Sequence, residues 1–173
     1  VGGALYNNET LLDGAKREIK EKIGIEGIDL YYAGLFDKVD RSPVMRMVAV
    51  TYIGVIDRYR GDILKETLKT CNADWFKISE VPKLAYDHNE ILLACLEELK
   101  RKILETDVLK TLFVNGFTIP ELQKVYETIL NLKFDRRNFR KKVLSLDLIE
   151  DTGIMENFEG NKPAKVYRFK KNK

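Results

Sequence analysis

The sequence predicts an α+β fold in two parts, residues 1–105 and residues 106–173. Three observations carry that prediction. Near the N-terminus a capped amphipathic helix gives way to two apolar stretches of strand character. In the last third, two helix starts follow each other closely, and the second opens a run of basic residues. Charge divides at the same place: residues 1–105 hold 16 basic and 18 acidic side chains, net −2, whereas residues 106–173 hold 14 and 9, net +5. Such a split is that of a sensing part joined to a part that meets nucleic acid.

The first helix lies in the stretch Gly3 to Ile25. Thr10 with Asp13 three residues on is a capped start; Ala15, Ile19 and Ile23 repeat every four residues as one buried stripe; and Gly24 closes the helix. Glu18 and Glu21 fall about 60° apart around it, because each residue turns about 100°. Two carboxylates on one face suit a hard divalent cation, which in turn suits a pyrophosphate.

Gly3, five residues, Glu9, seven residues, then Arg17-Glu18-Ile19-Lys20-Glu21-Lys22-Ile23-Gly24-Ile25 resembles the Nudix box, the signature of enzymes that cleave nucleoside diphosphates linked to another group. The resemblance implies a Nudix-like α/β/α sandwich with a mixed sheet, whose usual N-terminal strands would precede Val1. It also implies that Glu9 and Arg17 form a structural ion pair and that Glu18 and Glu21 are the metal ligands, with Mg²⁺ as the candidate ion. A third carboxylate belongs directly after Glu21, and this chain has Lys22 there. An ammonium in place of a negative oxygen weakens a metal site and can pair with Glu18 at i, i+4. The box Glu18, Glu21, Lys22 is therefore degenerate, and no residue is assigned a catalytic role. Gly3, Glu18, Glu21, Lys22 and Arg46 are the effector-binding candidates. No cofactor is required, although Mg²⁺ could accompany a phosphorylated effector.

Further along, residues 28–37 and 46–56 read as strands, the second apolar on both alternating sets and so covered on both faces. A loop with a helical turn follows over 57–71, then a strand at Ala73–Ile78 and a turn at Ser79–Pro82. Asp87 is placed to cap a helix running to about Ile103, with Ile91, Cys95 and Leu99 as its buried stripe. The single histidine, His88, fits capping or packing better than catalysis. Cys71 and Cys95 stand 24 apart with no CxxC, which excludes a zinc framework and fits reduced thiols in the cytoplasm. The uncharged run over residues 47–56 is ten residues, as long as any in the chain and too short to span a bilayer.

In the basic third, Leu109–Val114 reads as a short helix. Thr118, Pro120 and Glu121 begin a second, with Leu122, Val125, Tyr126 and Ile129 on its core face. Asp135 caps a third, on which Phe139, Val143 and Leu146 share one face. Arg137 and Lys141 lie roughly opposite, flanked by Asn138 and Arg140. A short connection between two helices, the second one basic, is helix-turn-helix organisation, and the basic face suits a major groove. Residues 148–150 and 165–169, around a polar loop at 159–162, read as a β-hairpin wing. From it Lys162, Lys165 and Arg168 reach phosphates.

Three segments raise the specificity: residues 117–130, 134–142 and 162–169. Together they resemble the winged helix of the Nudix-related transcriptional regulators, the NrtR group, in the same order along nearly the whole chain. That resemblance implies a homodimer on duplex DNA, with an effector in the Nudix-like part altering operator affinity. The DNA-contacting residues would be Arg136, Arg137, Asn138, Arg140, Lys141, Lys162, Lys165 and Arg168. ADP-ribose, in NAD metabolism, or a pentose, in sugar utilisation, is the implied effector. An active ADP-ribose pyrophosphatase with an appended winged helix is the competing reading, and a protein-binding adaptor a third.

Overall fold

The computed structural model describes residues 1–57, 63–70, 73–156 and 163–170, so Cys71, Lys162 and the wing tip lie outside the described residues. Contacts divide the chain into two compact units, Val1–Leu99 and Lys100–Lys173.

In the first unit, helix α1 (Leu11–Ile23) starts on a reciprocal cap. Thr10 Oγ1 accepts from the Asp13 amide at 3.2 Å, and the Asp13 carboxylate accepts from the Thr10 amide. It ends at Gly24, whose φ of 75° an L side chain rarely adopts. The expected stripe is not the most covered face. Ala15, Ile19 and Ile23 are half-buried, whereas Gly14 and Glu18 are buried. The reason is local: the loop before α1 lies over Gly14 and Glu18, with Leu5 Cδ1 and the Glu9 carboxylate against Gly14 and the Gly3 backbone against Glu18.

Strands β1 (Leu30–Phe36) and β2 (Ala49–Gly54) pair antiparallel, Leu30 opposite Gly54 and Phe36 opposite Ala49, with a bulge between Tyr32 and Gly34. Among the described residues the sheet of this unit has these two strands and no parallel pair. A two-stranded ribbon covers little, and β2, expected to be buried on both faces, is only half-buried. The strand expected at Ala73–Ile78 does not form: Trp75 and Phe76 are exposed, and the Ala73 amide bonds to Lys65 rather than to a neighbouring strand. A short 3-10 turn follows at Ile78–Glu80. Helix α2 (His88–Glu105) begins where Arg41, from the β1–β2 loop, donates to both oxygens of Asp87 at 2.9 and 3.1 Å. The Asp87 carboxylate, which the sequence offers as a helix cap, anchors that loop. His88 packs its ring edge-on to Tyr86.

The second unit holds the core. Ile103, Val108, Leu109, Phe117, Ile119, Leu122, Tyr126, Phe139, Val143, Ile149, Val166 and Tyr167 are all buried. The short helix expected at Leu109–Val114 is a 3-10 turn, Lys110–Leu112, after which β3 (Phe117–Thr118) enters the sheet. Helix α3 (Ile119–Leu130) is capped by Thr118 and Glu121, carries a proline in its first turn, and ends at Asn131 with φ 53°. Helix α4 (Arg136–Ser145) follows, with Asp135 accepting from the Asn138 amide at 2.9 Å. Strands β4 (Ile149–Glu156) and β5 (Ala164–Phe169) form the hairpin, and the three-stranded sheet runs β3-β5-β4. Gly116, at φ 95°, sits where a Cβ would lie 2.9 Å from the Tyr167 carbonyl, so the turn into β3 presses directly on β5.

Candidate functional site

Two surfaces gather the chemistry, one in each unit. On the first, Arg17 is the centre. Its Nε and Nη2 donate to the two oxygens of Glu9 at 2.9 and 2.7 Å, a bidentate pair. Nη2 also reaches the Ala4 carbonyl at 2.9 Å, and the guanidinium stacks 3.9 Å above the Tyr6 ring. The Tyr6 amide donates to Glu9 Oε1 at 2.8 Å, so the Gly3–Glu9 loop is tied down at both ends of one carboxylate. Hydrogen bonding from Arg17, then from the Tyr6 amide, holds the Glu9 carboxyl down at about 2 and drives the guanidinium upward.

Arg17 Nη1 turns the other way, to Glu18 Oε1 at 2.6 Å and Glu21 Oε2 at 3.1 Å. Glu18 is 7% exposed, and its Oε2 lies 3.2 Å from Lys22 Nζ, close enough for an ion pair, yet accepts no hydrogen bond. Burial pushes the Glu18 carboxyl up, but Arg17 and Lys22 together outweigh it and leave it lowered. Lys22 also donates to the Gly2 carbonyl. Glu21 Oε2 receives Lys69 Nζ at 2.5 Å, the main cause of its lowered pKa. Gly3 closes the site from outside: a Cβ there would stand 2.1 Å from Glu18 Oε1. Gly3, Glu18, Glu21 and Lys22 are thus brought together, and Arg46 is not: its guanidinium donates to the carbonyls of Lys38 and Met47 in the β1–β2 loop. Lys69 had no signal in the sequence, since it meets Glu21 across 48 residues from a stretch read only as loop.

This donor set does not fit a hard divalent cation. Each carboxylate already faces protein cations, the expected third ligand is itself a cation, and among the described residues no cluster of three or more His, Cys, Asp or Glu is placed to hold a metal. A shallow groove of about 250 Å³ along Lys16, Arg17, Lys20 and Ile28 gathers no such chemistry.

The second surface is α4. Phe139 and Val143 are buried, Phe139 against Tyr126 and Phe134. Opposite them Arg137 and Lys141 are exposed with Asn138 beside them, Arg136 and Lys142 are exposed nearer the buried side, and among the described residues none of the four cations enters an ion pair. Arg140, on the flank, donates to the Tyr167 hydroxyl at 3.3 Å. The wing differs: Lys165 pairs with Asp151 and Arg168 with Glu150, each at 2.7 Å across the hairpin. The turn between α3 and α4 is set by Glu127, which accepts from Gln123, from the Phe134 amide and from Lys133 at 2.9–3.0 Å. Those three hydrogen bonds hold its carboxyl down at about 2.

Known proteins match both halves. The profile described as NUDIX domain matches residues 1–95, and that described as NrtR DNA-binding winged helix domain matches residues 111–169. The ADPR responsive transcriptional repressor NtrR of Acinetobacter baylyi is 28% identical over 169 residues, covering 95% of this chain and 66% of that protein. An ADP-ribose pyrophosphatase of Methanocaldococcus jannaschii is 31% identical over 91 residues, covering 53% of this chain and 52% of its own length. The chain therefore spans less than two thirds of either relative. Among solved structures, Shewanella oneidensis NrtR superposes with a TM-score of 0.76 at 24% identity, over 97% of this chain and 77% of that one; the same protein has also been solved with a 27mer DNA. A MutT/nudix family protein from Enterococcus faecalis superposes with a TM-score of 0.75 at 23% identity, over 97% and 71%. The chain belongs to the Nudix family, and it carries behind its Nudix domain a winged helix of the NrtR DNA-binding type.

Proposed function

We propose that this chain is a DNA-binding transcriptional regulator whose Nudix domain senses an effector instead of hydrolysing it. The observation that carries the reading is the face of α4. Arg137 and Lys141 stand exposed opposite the anchoring Phe139 and Val143, with Arg136 and Lys142 exposed beside them, on a winged-helix frame, and among the described residues none of the four enters an ion pair. Arginines presented this way suit phosphates and guanine edges, whereas a protein-binding adaptor has no need of exposed cations gathered on one helix. The name of the Acinetobacter relative favours ADP-ribose over a pentose as effector, and repression as the sign of control. Homodimers on a palindromic operator, and a cytoplasmic location, complete the proposal; among the described residues no helix is long and apolar enough to cross a membrane.

A second reading stays in play because one specific observation favours it, the similarity of residues in the first half to an ADP-ribose pyrophosphatase. Two assays separate them. ADP-ribose hydrolysis with Mg²⁺ or Mn²⁺ is expected to run far below an ordinary turnover of about 1 s⁻¹, and a rate at that level rejects the sensor. Binding to duplex DNA from the region upstream of the neighbouring genes is expected, weakened by ADP-ribose and lost in R137A/K141A. If that variant stays folded and still binds, the α4 interface is rejected.

A further inference from the structure

In the Nudix domain, three carboxylates, Glu9, Glu18 and Glu21, are matched by three cations, Arg17, Lys22 and Lys69. Arg17 balances one negative charge. The remaining two are balanced by Lys22 on the α1 face and Lys69 from the loop beyond β2, and two ammonium groups supply the charge of one divalent cation. Their positions are specific. Lys22 Nζ lies 3.2 Å from Glu18 Oε2 and Lys69 Nζ lies 2.5 Å from Glu21 Oε2, so each of the two carboxylates expected to hold a metal faces an ammonium group, while Arg17 Nη1 bridges Glu18 Oε1 and Glu21 Oε2. Glu18 Oε2 is buried and accepts no hydrogen bond, and Gly3 leaves no room for a side chain beside it. A buried carboxylate is costly unless a positive group faces it, and here Lys22 supplies that group. Like a metal ion, an ammonium on a flexible stem can turn its remaining N–H groups toward a second anion while keeping its first partner.

We propose that Lys22 and Lys69 stand in for the divalent cation of this Nudix domain, so that the Glu18–Glu21 face receives the diphosphate of a ligand on ammonium groups, without a metal. This rests on the effector reading above only for the diphosphate. The replacement of the metal is a property of the chain alone.

The experiment has two arms on the full chain. In the first, Mn²⁺ alone is titrated against wild type and against K22E/K69Q, with calorimetry as the readout and circular dichroism as the check on folding; K22E is a second variant should the double one fail to fold. Wild type is expected to show no specific Mn²⁺ binding, and the variant to gain at least about tenfold in affinity, near 1.4 kcal/mol. Equal binding by wild type and a folded variant overturns the proposal. So does a folded variant that gains nothing.

In the second arm, ADP-ribose and inorganic pyrophosphate are titrated in EDTA and in Mg²⁺. Equal affinity in the two buffers, reduced by K22A or K69A, supports the ammonium site; affinity that vanishes in EDTA and returns with Mg²⁺ overturns it. If neither probe binds in either buffer, the effector reading and the diphosphate clause fail together, and the Mn²⁺ arm still decides whether the lysines hold the metal's place.

Discussion

Arg17 makes five hydrogen bonds from three nitrogens, to Glu9, Glu18, Glu21 and the Ala4 carbonyl, so one side chain fixes both the loop and the α1 carboxylates. The loop can approach that closely only because residue 3 has no side chain. Gly3→Ala would place a Cβ 2.1 Å from Glu18 Oε1, and either the carboxylate or the loop must move. The expected result is a loss of ADP-ribose affinity of at least about tenfold with helix content by circular dichroism unchanged; unchanged affinity would show that the loop does not shape the site. The same arginine sets a pH dependence. Glu9 sits at about 2 when folded against an ordinary 4.5, so its contribution is complete above pH 4.5 and is lost as pH falls toward 2. Glu127 behaves alike in the second unit, through Gln123, the Phe134 amide and Lys133. Melting temperature followed down that interval should fall less steeply in E9Q and in E127Q than in wild type, with each variant already less stable at pH 7.

At the scale of elements, caps decide what the sequence can tell. Helices α1, α3 and α4 were legible because Thr10/Asp13, Thr118/Glu121 and Asp135 act within three residues of themselves, and the first two appear as reciprocal caps. Strands depend on partners elsewhere in the chain. Ala73–Ile78 has strand composition but no neighbouring strand among the described residues, whereas Phe117–Thr118 looks like a helix approach yet pairs with Tyr167 and Val166. Of the site, the Gly3–Ile25 spacing placed Glu9, Arg17, Glu18 and Glu21. Lys69 and the pairing of the wing cations stayed hidden because both are set by contacts between distant residues. Thr118 is the cap to test, being 1% exposed: its hydroxyl accepts from the Glu121 amide and donates to the Glu121 carboxylate. Thr118→Ala should cost about 1–2 kcal/mol in a urea melt, while Thr118→Ser, which keeps the hydroxyl, should cost clearly less. Equal losses for both would mean that the methyl group, and not the cap, matters.

For the whole molecule, the net charge of +3 conceals where cations are available to a polyanion. On the proposed DNA-binding reading, Arg137 and Lys141 would meet a phosphate with no carboxylate partner among the described residues, whereas Arg168 and Lys165 would first have to leave Glu150 and Asp151. Both wing pairs are exposed, and surface pairs of this kind hold weakly, so a duplex can break them. The released carboxylate would nevertheless remain near the phosphates and repel them. Each phosphate neutralised adds about 0.9 to the slope of log affinity against log salt. R137A should therefore lower that slope by about 0.9, and R168A by visibly less. Removing the carboxylate instead should have the opposite effect: Glu150→Gln frees Arg168 and takes away a repelling charge, so DNA binding should tighten and its salt dependence steepen. Fluorescence anisotropy with a labelled duplex over a salt series reads all three variants. If Glu150→Gln weakened binding while the wing stayed folded, the Arg168–Glu150 pair would be a device for aiming the arginine at the duplex, and the wing would contribute through geometry more than through charge.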